Sequence, residues 1–130
     1  MQKRLTTLRR LLSVEQQMKR MADAKLADLQ RRKAALQDEE RELVAALNGE
    51  GPFQGLFVDA VARRLTRVAE EAERAEAERQ AQAGRVLDRS LRVSRAERLL
   101  EKVARECRHE LEKRDLAELI EQAAGRASLP

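Results

Sequence analysis

The sequence predicts an all-α fold, a long antiparallel two-helix coiled-coil hairpin with unequal arms. Charged residues make up 38% of the 130-residue chain, and its apolar share is mostly Leu, Ala and Val. That is the composition of long helices and coiled coils. Aromatic residues are only 2%, with no Trp, no Tyr and two Phe, Phe53 and Phe57, whereas compact cores draw much of their buried area from aromatics. Finally, most of the punctuation sits in one place, Asn48-Gly49-Glu50-Gly51-Pro52-Phe53-Gln54-Gly55. Glycine permits positive φ and proline cannot continue a preceding helix, so this cluster reads as a turn. The chain is expected to form a single hairpin, with helix one over about 3–47, a turn at about 48–53 and helix two over about 54–124.

The first helix carries a heptad seam. With Leu8 at position a, the a series runs Leu8, Glu15, Ala22, Leu29, Leu36 and Leu43. The d series (Leu11, Met18, Lys25, Arg32, Glu39, Ala46) is weaker, and Leu5, Leu12, Leu26 and Leu47 at e widen the stripe. In the second helix Leu65, Ala72, Val86, Val93, Leu100 and Cys107 stand at a, with Val61, Val68, Ala75, Ala96, Val103 and Ala117 at d. Neither helix can bury such a stripe alone, and a short turn joins them, so they pair with each other. The polar core entries Glu15, Lys25, Arg32, Arg79, Gln82 and Arg89 predict a wetter seam in the middle. Gly84 falls there too; it costs a helix interior about 1 kcal/mol against Ala and is a candidate bend.

The arms differ in length, about 65 Å against about 105 Å at 1.5 Å per residue. Helix two is therefore expected to overhang from about residue 104. Within the overhang Leu116, Leu119, Ile120 and Ala123 form an apolar face out of phase with the earlier heptads, open to a partner protein or to self-association.

Charge is polarised. Residues 1–33 hold ten Lys or Arg against three acids, residues 34–59 one against six, and residues 85–108 eight against four. Closing the hairpin brings the first and third segments together, giving a basic open end and an acidic turn end. Positive charge suits nucleic acid, an anionic membrane or an acidic protein surface. Nucleic-acid modules add a groove-reading fold or stacking aromatics, and both are missing here. A membrane-surface helix wants a cleaner apolar face. An acidic protein partner is the better fit.

No catalytic, metal or cofactor site is expected. His109 and Cys107 are the only residues of their kinds; two apart on a helix, they face different ways. Phosphate-loop spacings are missing among the glycines. The lone cysteine suits a reducing compartment, and neither a leader nor a spanning helix is evident, so a cytoplasmic location is expected.

The opening Lys3-Arg4-Leu5-x-x-Leu8-x-x-Leu11-Leu12-x-x-Glu15, running into Met18-Lys19-Arg20-Met21-Ala22-Asp23-Ala24-Lys25, resembles the start of the FliJ and YscO-type family. The unequal arms, the turn near residue 51 and the Phe-bearing start of helix two are similar as well. The resemblance implies a cytoplasmic, non-enzymatic component of a type III export machine, flagellar or injectisome. Its open end would insert into the export ATPase ring like a central stalk, and its turn end would contact the export gate. Export chaperones are further partners, and membrane association would come only through partners. Carried onto this chain, the ATPase-facing residues are Arg4, Arg9, Arg10, Arg92, Arg95 and Arg98. The gate-facing ones are Leu43, Leu47, Phe53, Leu56 and Phe57. The chain departs from members with aromatics late in helix one, having Leu43 and Leu47 there. The competing readings are a coiled-coil scaffold unrelated to secretion and, less well supported, a basic nucleic-acid-binding rod.

Overall fold

Apolar heptads on either side of one glycine cluster leave the chain few alternatives to pairing its two halves. In the computed structural model, which describes residues 2–49 and 57–127, they form α1 (Gln2–Leu47) and α2 (Val58–Ala127). The two long helices pack against each other as an all-α hairpin. α1 ends where Gly49 takes φ +76, a left-handed conformation that costs glycine little. The Asn48 amide donates to the Val44 carbonyl (3.0 Å) and the Gly49 amide to that of Ala46 (3.2 Å), satisfying two carbonyls of the last turn. The expected start of helix two at about 54 lies outside the described residues, as do Phe53 and Leu56. Phe57 precedes α2 with φ +60, and its carbonyl accepts the first helical bond, from the Val61 amide (2.9 Å).

Burial corrects the register expected for α1. Buried and half-buried positions include Leu5, Leu8, Leu12, Glu15, Lys19, Ala22, Leu26, Leu29, Lys33, Leu36, Glu40, Leu43 and Leu47, an unbroken alternation of three and four, with Ala27, Glu39, Ala45 and Ala46 half-buried beside it. The seam therefore uses the expected a and e series, while Leu11, Met18, Lys25 and Arg32 of the d series are exposed. The reason is the four leucines at e, each gaining about 1.5–3 kcal/mol on full burial, against a d series with only one. Lys25 and Arg32 are thus not core residues; Lys19 and Lys33 lie half-buried in their place. On α2 the expected positions from Val61 to Cys107 are all buried or half-buried, but Ala117 is exposed. Large leucines on α1 face a second helix lined by Val and Ala, a pairing of large with small that lets side chains interdigitate.

The contacts divide the chain into two compact units. One comprises Met18–Ser90. Its core is Leu36, Val68 and Ala75, with Leu43 and Ala72 packed against them. Gln82, 3% exposed, is satisfied at both ends: its amide donates to the Ala22 carbonyl (3.0 Å) and its oxygen accepts from Arg85 (3.1 Å). Gly84 does not interrupt α2, and a Cβ added there would meet nothing within 4 Å. The other unit joins Met1–Gln17 to Leu91–Pro130. Leu8, Ala96 and Val103 are its buried residues. The overhang begins later than expected, since Val103 is fully buried and Cys107 half-buried, while every described residue from Arg108 to Ala127 is exposed.

These placements set two expected outcomes. Leu36→Ala lowers stability to urea by about 2 kcal/mol or more, whereas Arg32→Ala stays within about 0.5 kcal/mol; equal losses would return Arg32 to the core. Helix 110–124 lacks the packing that supplies most helical stability, so its amides exchange with deuterium faster than those of 60–75. Equal protection in a monomer would contradict the exposure of this segment.

Candidate partner-binding surfaces

Helical periodicity and hairpin closure decide which charges meet. Arg4, Arg9, Arg10, Arg92, Arg95 and Arg98 all fall in the unit formed by Met1–Gln17 and Leu91–Pro130, and all are exposed. Residues far apart in the chain are thus gathered at the open end. Leu116, Leu119, Ile120 and Ala123 are exposed in the same unit, on roughly the opposite face of α2 from Val103 by helical spacing. Of the residues assigned to the turn end, Leu43 and Leu47 are half-buried in the seam, which leaves little of them for a partner. Phe57 is 73% exposed.

One surface was not foreseen. Beside the seam, Leu11 (44% exposed) and Leu99 (39% exposed) flank a groove between the helices, lined also by Glu15, Arg92, Arg95 and Ala96. A signal for it existed. Between residues 5 and 21, Leu5, Leu8, Leu11, Leu12, Val14, Met18 and Met21 are more apolar positions than one seam can cover. Val14, Met18 and Met21 are exposed together with Leu11.

In the Met18–Ser90 unit the charges form structural links. Glu76 accepts from Arg79 on its own helix (2.8 Å to each carboxylate oxygen), from Lys33 of α1 (2.7 Å) and from Gln80 (3.2 Å). The Arg79 bonds and then the Lys33 bond hold its pKa at about 2, down from an ordinary 4.5. Arg79 is correspondingly raised. Arg64 reaches Glu39 across the seam at 2.6 Å. No group of three or more His, Cys, Asp or Glu able to hold a metal occurs among the described residues. Among them, no helix is long and apolar enough to cross a membrane.

No protein-family model matches the chain, and no curated protein and no solved structure matches it.

The Glu76 links make a pH signature. A carboxyl with a lowered folded-state pKa stabilises fully above its unfolded value; the contribution drains as pH falls from about 4.5 towards about 2. Glu76→Gln is therefore expected to lower the urea midpoint at pH 7 and to lose less stability than the wild type on acidification through this window. Parallel pH profiles would remove Glu76 from the acid response.

Proposed function

We propose that the chain is a non-enzymatic coiled-coil component of a type III protein export apparatus, flagellar or injectisome. In this reading it is a central-stalk-like rod linking the export ATPase ring to the export gate, with export chaperones as further partners. The observation that carries the reading is the gathering of Arg4, Arg9, Arg10, Arg92, Arg95 and Arg98 as exposed groups in one unit. The resemblance of the opening of the sequence to the FliJ and YscO-type family supports the choice of this machine. Cations on a hairpin end with hardly any aromatics suit an acidic protein rim better than nucleic acid. Phe57, preceding α2, offers a large exposed apolar side chain for a gate component. The exposed face Leu116, Leu119, Ile120 and Ala123 supports a second reading, a scaffold that self-associates through its tail.

A two-by-two measurement separates them. Charge reversal at Arg9, Arg10, Arg92 and Arg95 slows association with the export ATPase by roughly tenfold at low salt and flattens its salt dependence, since complementary charge acts mainly on encounter rate. It leaves gate binding alone. Phe57→Ala does the reverse. If the arginine variant keeps wild-type association at every salt concentration, the stalk reading loses its main physical support. If the wild type binds no export ATPase, the scaffold reading takes over.

A further inference from the structure

An antiparallel pair of helices has one buried seam and, on each flank, a furrow where the two cylinders part. In the Met1–Gln17 and Leu91–Pro130 unit one furrow differs from a solvated flank. Leu11 on α1 and Leu99 on α2 stand on its walls with Ala96 between them, and the space is about 210 Å³. Aliphatic side chains left this exposed on both walls retain burial free energy that the hairpin does not use.

The rim has a sign. Arg92 and Arg95 line the groove, and Glu15 is the acidic lining residue. Further charges, mostly cations, follow the same walls. Arg4 lies seven residues before Leu11, on its face of α1; Lys102 follows Leu99 by three, as Arg95 precedes it by four, and the acidic Glu106 follows it by seven. An apolar floor with a cationic rim complements an amphipathic helix whose apolar residues recur at i, i+3, i+4 and i+7 and whose flanks are acidic. We propose that this groove is a docking site for such an acid-flanked helix of a partner protein. The proposal deepens the export reading by giving the chemistry of what binds among its arginines, but the groove itself does not depend on the ATPase.

The test uses the full chain and three short synthetic helices, read by fluorescence anisotropy. The first has Leu at the four apolar positions and Glu on the flanks, the second Lys in place of Glu, the third Gln in place of Leu. The Glu-flanked peptide is expected to bind, more weakly as salt rises, and the other two at least about tenfold more weakly. Leu11→Gln and Leu99→Gln, at positions already partly in water, each weaken binding by about tenfold, and Arg92→Glu with Arg95→Glu does the same. Leu87→Gln, on an exposed residue of the other unit, leaves it unchanged. Circular dichroism of each variant confirms that helicity is retained. Equal binding of the Lys-flanked peptide would overturn the proposal. So would a wild-type chain that binds none of the three. Two further results would also replace the partner helix: anionic vesicles bound through the same residues, or a dimer dissolved by Leu99→Gln. Because no ATPase is in the assay, the groove can fail while ring binding stands, and the reverse.

Discussion

Everything in the hairpin depends on the alternating three-and-four row of α1 finding a complementary face on α2. Nine of the thirteen row positions are apolar, six of them leucine from Leu5 to Leu36 with Leu43 and Leu47 beyond. Facing them are Val68, Ala72, Ala75, Ala96 and Val103, of which Val68 and Val103 are wholly buried. The small residues let the leucines enter between them. With almost no aromatic area available, this fit is the main source of burial. It also has little reserve, because each helix has only one neighbour and most of its surface stays in water.

That geometry explains why polar groups in the middle do not open the pair. Lys19 and Lys33 can lay their aliphatic stems on the seam and keep the amine outside. Gln82 is buried but bonded at both ends, so it avoids the cost of an unsatisfied amide. Glu76 collects two cations and an amide at its carboxylate. The sequence suggested a wet stretch here; in the structure its Glu76 and Gln82 find partners across the seam.

The two long paired helices and the phase of α2 as far as Cys107 could be read from residue spacing. The phase of α1 could not. Its first three turns hold Leu5, Leu8, Leu11 and Leu12, so seams through d and through e both look apolar there. Only the later leucines, Leu26 and Leu47, tip the balance, and their weight is seen when burial on both helices is compared. The groove by Leu11 and Leu99 was hidden for the same cause. It is made of residues the seam leaves out, one from each helix, so neither helix alone reveals it. Of the turn end, Phe53 and Leu56 lie outside the described residues, and Leu43 and Leu47 belong to the seam more than to a surface.

The cross-seam ion pairs also bear on slippage. Sliding a heptad seam by seven residues keeps its phase but changes which residues meet. Here Lys33 faces Glu76 and Arg64 faces Glu39. Sliding one way would put Glu40 opposite Glu76; sliding the other way would put Arg32 opposite Arg64. Either misalignment trades an attraction for a repulsion, and it also takes the Gln82 amide away from the Ala22 carbonyl. The charges that add little to stability at an exposed flank therefore act, together with Gln82, as a two-way stop that favours one alignment of the helices.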